Sequence, residues 1–246
     1  MDFTNCYKDV SRADAYATLE FANTYYLAYR DLPAILSEYG TGAKALDFGC
    51  GAGRSTRFLR KLGFEVTGVD ISEDMLRIAR TRDPSGDYRL VPHDSFIEFA
   101  PESFDLIVSL FTFDNIPSAA KVRIFSDLRN LLRPAGTMVS VVLSPEMYTH
   151  EWASFSTQDF PENAAARSGD VVLNIVTDHQ DRRPVEDILC TDESYRAVYR
   201  EAGLQATEVL KPLAKGDEPY AWVNETKIAP WVIYVLRRAG SSQRSS

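Results

Sequence analysis

The chain has 246 residues, 45% of them hydrophobic and 25% charged, which fits one sizeable globular α/β domain with a buried core. Its 27 basic and 35 acidic side chains leave a formal net charge of −8. That sign is wrong for gripping a phosphate backbone, so a nucleic-acid partner is excluded from the expectations.

No apolar run reaches the ~18 residues that a membrane-crossing helix needs, so no membrane partner is expected. The start Met1-Asp2-Phe3-Thr4 lacks the basic and apolar stretches of a signal peptide. Cys6, Cys50 and Cys190 are far apart and show no metal-ligand spacing. Together these predict a cytoplasmic protein without a metal site.

In chain order, Leu19, Ala22, Tyr26, Tyr29 and Leu32 recur at helical spacing and predict a helix over 13–39, bent at Pro33. Lys44 to Phe48 reads as a first strand and runs into a loop holding Gly49, Gly51 and Gly53. A helix over 55–62 follows, then a second strand ending in Asp70. Ser72 is placed to cap the next helix, with Glu73 and Asp74 in its first turn, where the helix dipole favours acids. Strands are expected over 88–91, 104–110 and 137–143, with a helix over 119–132 between the last two. This alternation means a parallel sheet wound by right-handed crossovers.

After Leu143 the rhythm changes. Residues 144–170 are irregular, and 171–177 with 184–190 read as an antiparallel pair. A helix over 192–202 and strands over 204–210 and 228–237 complete the pattern. The expected organisation is an N-terminal helical segment (1–39), a core (40–143), an insertion over the sheet (144–190), a C-terminal part of the core sheet (191–239) and a disordered polar tail (240–246).

The strongest local signal is Leu46-Asp47-Phe48-Gly49-Cys50-Gly51-Ala52-Gly53 between a strand and a helix. Glycines let the chain turn tightly and let a ligand approach where a Cβ would clash. The helix behind them aims free N–H groups at the same spot. An acid ending the second strand, Asp70, faces a ribose in such sheets. In the dinucleotide-binding pattern the third glycine comes three residues after the second. Here Arg54 stands at that place and Gly53 comes one earlier.

With these features the sequence resembles the class I S-adenosylmethionine-dependent methyltransferases, on LDFGCGAG (46–53), VTGVDIS (66–72), Asp94, FDLIVSLFTFDNIP (104–117) and LLRPAGTMV (131–139). The resemblance covers roughly residues 40–143. It implies a Rossmann-like, doubly wound seven-stranded mixed sheet with helices on both faces and the last strand antiparallel. It implies S-adenosyl-L-methionine as cofactor. Asp47 and the backbone of Gly49, Gly51 and Gly53 would hold its methionine part. Asp70 would hold the ribose, with Ile71 and Met75 beside the adenine. Asp94 would bond the adenine amino group next to Ser95, and Leu110 and Phe111 would line the sulfonium. In related small-molecule enzymes the N-terminal segment covers the cofactor, so Tyr26 and Arg30, which share a helix face, are expected there. Arg30 is the expected partner of the cofactor carboxylate, because a guanidinium fits it through two parallel hydrogen bonds.

The expected activity is methyl transfer by in-line displacement to an N or O atom of a small-molecule acceptor, by a monomer or homodimer, with 144–190 as a substrate lid. A base is needed only for a protonated amine or un-ionised hydroxyl; the candidates are His150, His179 and Asp114. The rival readings are a dinucleotide-dependent oxidoreductase, a protein or peptide methyltransferase, and a non-catalytic S-adenosylmethionine-binding protein.

Overall fold

A computed structural model describes residues 10–91, 96 and 98–240, with side chains from Asp14 onward. Asp94 and Ser95, expected at the adenine, and residues 241–246 of the expected tail lie outside the described residues.

Three helices open the chain: α1 (Val10–Ala17), α2 (Thr24–Arg30) and α3 (Leu32–Tyr39). The single bent helix expected over 13–39 is therefore broken twice. Asn23 sits at φ 52 before α2, a conformation no helix continues through. Pro33 lies in the first turn of α3, where its missing N–H costs nothing.

Next come β1 (Lys44–Phe48), α4 (Arg54–Lys61), β2 (Glu65–Asp70), α5 (Glu73–Arg82), β3 (Asp87–Leu90) and β4 (Phe104–Leu110). They are followed by α6 (Ser118–Leu131) and β5 (Leu132–Leu143). The remaining elements are β6 (Phe155–Ser156), β7 (Val171–Val176), β8 (Val185–Ile188), α7 (Asp192–Glu201), β9 (Leu204–Leu210) and β10 (Trp231–Arg238).

Seven strands form one sheet in the order β3-β2-β1-β4-β5-β10-β9. The first five are parallel, and β10 runs antiparallel to both its neighbours. This is the mixed sheet that the sequence implied. Every residue of β4 is buried, including the polar Asp105 and Ser109, as a central strand covered on both faces requires. Alternate residues feed opposite cores. Ala45, Leu106 and Val108 pack with Leu27, Leu32 and Leu36 of the N-terminal helices. Leu46 and Ile107 pack with Phe125 and Leu128 of α6 and Tyr195 and Tyr199 of α7. The last strand starts at Trp231 rather than Ile228, since Pro230 has no N–H to donate to a ladder.

Within 144–190 the expected antiparallel pair is β7–β8, and the short β6 adds a third strand. Thr24 ties this insertion to the N-terminal segment. Its N–H donates to Ser154 Oγ at 3.0 Å, its hydroxyl donates to the buried Glu225 carboxylate at 2.6 Å, and its carbonyl accepts from the Trp231 indole at 2.7 Å. Trp231 pairs with Leu143, so this knot sits at the carboxyl end of β5. Among the described residues no helix is long and apolar enough to cross a membrane.

Candidate functional site

The carboxyl end of β1 leads into the glycine loop. Asp47 is fully buried, and its Oδ2 accepts from Ser55 Oγ and Thr56 Oγ1, both at 2.6 Å. Its Oδ1 is buried with no hydrogen-bond partner among the described residues. Burial pushes the carboxyl up to about 6, against the pull of the two hydroxyls. An orphaned carboxylate oxygen is costly, so this one points to a donor that a ligand supplies.

Two glycines of the loop have distinct reasons. A Cβ at Gly49 would lie 2.2 Å from Thr112 Oγ1. Thr112 in turn donates toward the carbonyls of Phe48 and Gly49, at 3.3 and 3.5 Å, pinning the end of β4 to the loop. Gly51 adopts φ 51, yet a Cβ there would meet only Met75 Cε, at 4.0 Å. Space is open beside that residue.

Asp70, ending β2, latches the loop as well as facing it. Its Oδ2 accepts from Gly51 N at 2.8 Å and its Oδ1 from Ser72 N at 2.9 Å. Burial raises its pKa, while those backbone N–H groups oppose the rise. Ser72 caps α5 by accepting from Met75 N, which sets Met75 and Ile71 beside the Asp70 carboxylate.

At the end of β4, Leu110 is buried and Phe111 sits at φ 61. A bulky residue in the left-handed region is strained, and such strain gathers at functional sites. The Phe111 ring is 4.7 Å from Trp231 and 5.4 Å from Tyr25, centroid to centroid. The Arg54 guanidinium enters this cluster, 4.7 Å from the Tyr25 ring centre, 5.4 Å from Tyr29 and 5.5 Å from Phe111. It donates to the Glu20 carbonyl at 2.8 Å and pairs with no carboxylate at ion-pair distance among the described residues. Its charge lowers the pKa of Asp47, so the two lie in one electrostatic neighbourhood.

These residues fit an adenosyl amino acid. One end offers a buried carboxylate oxygen and a guanidinium for an α-ammonium and an α-carboxylate. The other offers Asp70, the open side of Gly51 and the Met75 side chain for a ribose and a flat base.

The expectation for Arg30 is corrected. Its guanidinium bonds both Asp31 oxygens, at 2.8 and 2.9 Å, together with Glu218 Oε1 and the Leu213 carbonyl, both at 3.0 Å. The Tyr26 ring packs tilted against Tyr220, 5.2 Å between centroids. The cation at the glycine loop is Arg54, which sequence reading noted only for breaking the dinucleotide spacing. Its signal was its place as first residue of the helix behind the loop.

The three candidate bases do not converge. A short 3-10 turn over Phe113–Asn115 carries Asp114 into the interior, where it accepts from Leu143 N at 3.2 Å and Tyr195 OH at 3.4 Å. Burial, with the Asp187 charge adding, pushes it up to about 8. Asp114 is thus an interior group, not one lining the crevice. His150 is half-buried on the insertion, its Nδ1 3.1 Å from both Thr149 Oγ1 and the Glu146 carbonyl. His179 is buried with its ring 5.3 Å from that of Tyr16, and burial lowers its pKa.

Comparison with known proteins adds the family. The methyltransferase domain family matches residues 45–136, from β1 into β5. Over this segment the chain is similar to S-adenosylmethionine-dependent methyltransferase domains. A demethylmenaquinone methyltransferase of Tropheryma whipplei (strain Twist) is 37% identical over 101 residues, covering 40% of this chain and 41% of that one. A ubiquinone biosynthesis O-methyltransferase of Xanthomonas campestris is 29% identical over 101 residues, covering 39% and 41%. The alignments therefore span about two fifths of the length of these relatives. The solved structure of a S-adenosylmethionine-dependent methyltransferase from Clostridium acetobutylicum superposes with a TM-score of 0.62 at 14% identity, over 96% of this chain and all of that one. At that identity the likeness speaks for the fold.

Proposed function

We propose that the protein transfers the methyl group of S-adenosylmethionine to an N or O atom of a small molecule. The observation that carries this reading is the buried, unpartnered Asp47 Oδ1 facing the same loop as Arg54, a guanidinium without a carboxylate partner among the described residues. An acid and a cation so placed complement an amino-acid zwitterion. A dinucleotide offers phosphates there and would leave Asp47 opposed.

The cofactor supplies a methyl carbon on a sulfonium, already activated for displacement by an acceptor's lone pair. The protein's task is then alignment and exclusion of water. Tyr25, Tyr29 and Phe111 hold the Arg54 guanidinium against their rings, which fixes it for the cofactor's carboxylate. Gly51 N and the Ser72 cap hold Asp70 rigidly toward the ribose seat. The Thr24 knot binds the N-terminal segment to the 144–190 insertion, so both close over the crevice as one piece. The quinone-pathway names of the relatives support a small, ring-bearing acceptor.

Calorimetry with S-adenosylhomocysteine and with NADH tests the reading, joined to mass-spectrometric detection of S-adenosylhomocysteine formed from S-adenosylmethionine across an acceptor panel. Binding of S-adenosylhomocysteine alone, with turnover on at least one acceptor, is expected. Binding of NADH, or no turnover on any acceptor, overturns it.

A further inference from the structure

Between α1 and the loop joining β7 to β8 lies a groove of about 720 Å³, lined by Asp14, Thr18, Asp178, His179, Asp181 and Arg183 among others. We propose that this groove recognises a positively charged amine on the methyl acceptor. The assignment deepens the methyltransferase reading and rests on it for the ligand's role as acceptor.

The charges set the ligand class. Arg183 is held by Asp181, with N···O distances of 2.6 to 3.1 Å. That pair cancels, and Arg182, whose charge reaches His179, turns to the Val176 carbonyl at 3.4 Å and does not line the groove, which leaves Asp14 and Asp178 on its walls. Neither has a cationic partner among the described residues. Asp178 accepts only from neutral donors, the Asn23 amide at 3.0 Å and the Ser154 hydroxyl at 2.7 Å. A carboxylate half out of solvent and served by neutral donors alone gains most from an ammonium.

His179 is the second, independent observation. It lines the groove, is 9% exposed, and neither ring nitrogen has a hydrogen-bond partner among the described residues. Burial lowers its pKa, so the ring is neutral near pH 7 and adds an acceptor rather than a competing cation. The Tyr16 ring beside it supplies an aromatic wall. Carboxylate, neutral imidazole and aromatic face together suit an ammonium and repel an anionic acceptor.

Asp178, on the wall of the groove, lies toward the crevice, its charge reaching Tyr25. Asp178 bonds Asn23, which precedes α2, and two residues on the Tyr25 ring lies under Arg54. A ligand anchored at Asp178 therefore enters beside the aromatic cluster at the end of β4.

Three probes of one shape test this by NMR titration of the intact protein, with and without saturating S-adenosylhomocysteine: benzylamine, benzyl alcohol and benzoate. Benzylamine is expected to bind at least tenfold more tightly than benzyl alcohol, with benzoate weakest. Asp178→Asn should flatten that order. Asp14→Asn, on the exposed wall, should weaken it in part and serves as the variant if the first perturbs folding. Equal affinities, no binding of any probe, or a preference that survives both substitutions overturns the proposal. Failure of S-adenosylhomocysteine to bind in the same samples strikes the methyltransferase reading instead, since the amine series is read without it as well.

Discussion

Gly51→Ala separates a backbone requirement from a ligand requirement. The residue sits at φ 51, and an alanine there carries a left-handed penalty of about 1–2 kcal/mol. For a chain of this length such a loss lowers Tm by about 2–8 °C. The added Cβ meets nothing nearer than Met75 Cε at 4.0 Å, so no clash enlarges the cost. The methyl would instead stand in the space assigned to the adenosyl group, next to Asp70. Gly63, at φ 96 beyond α4, has nothing within 4 Å of its own added Cβ and lies outside the loop. Gly63→Ala thus carries a backbone strain at least as large, with no ligand to obstruct. Differential scanning fluorimetry should show both variants folded, with Gly63→Ala losing at least as much Tm as Gly51→Ala. Calorimetry should show S-adenosylhomocysteine weakened at least tenfold, about 1.4 kcal/mol, by Gly51→Ala only. Equal affinity of the two variants for that ligand would refute the placement of the cofactor.

Asp47 has a folded-state pKa of about 6, above its ordinary value, so its contribution to stability is lost as pH rises through 6. Asp47→Asn should match the parent's Tm at pH 4 and exceed it at pH 8, by at most about 3 kcal/mol of stability, while weakening S-adenosylhomocysteine; an unchanged affinity contradicts its role. In the parent, affinity for that ligand should fall below pH 6 as Asp47 protonates. Arg54→Met should weaken S-adenosylhomocysteine at least tenfold yet leave 5′-methylthioadenosine, which lacks the amino-acid end, within twofold; Arg30→Met should alter neither, and the reverse pattern by calorimetry would restore Arg30. Asp114, raised to about 8 by burial, stabilises least above that pH. Asp114→Asn should therefore match the parent's Tm near pH 4, exceed it increasingly up to about pH 8 and level off above, and a gap independent of pH would show that folding does not shift this carboxyl's pKa.

The core strands were legible because each is a short apolar run closed by a turn residue. The expected limits of β1, β4 and β9 coincide with those observed. The cofactor loop was legible for the same local reason, since glycine spacing and a terminal Asp70 are properties of adjacent residues. What was not legible depends on contacts between distant segments. Arg30 read as a helical cation and Arg54 only as a break in the dinucleotide glycine spacing. The first is held by its neighbour Asp31 and by Glu218, 188 residues on. Only the fold of α2 over the loop brings Tyr25 and Tyr29 onto the second. Asp114 follows the end of β4 in sequence and so read as lining the crevice. The turn over Phe113–Asn115 reverses its direction and commits it to the core with Phe113 and Phe125. His150 and His179 lie on an insertion whose position is set by the Thr24 knot, which no local pattern announces.

The most direct measurement is titration of S-adenosylhomocysteine into the intact chain and into Asp70→Asn, at pH 7.5, by calorimetry. One saturable site in the parent, weakened at least tenfold in a variant that remains folded, is the expected result. No binding to the parent, or equal binding to both, would contradict the assignment of the ends of β1 and β2 as the adenosyl site.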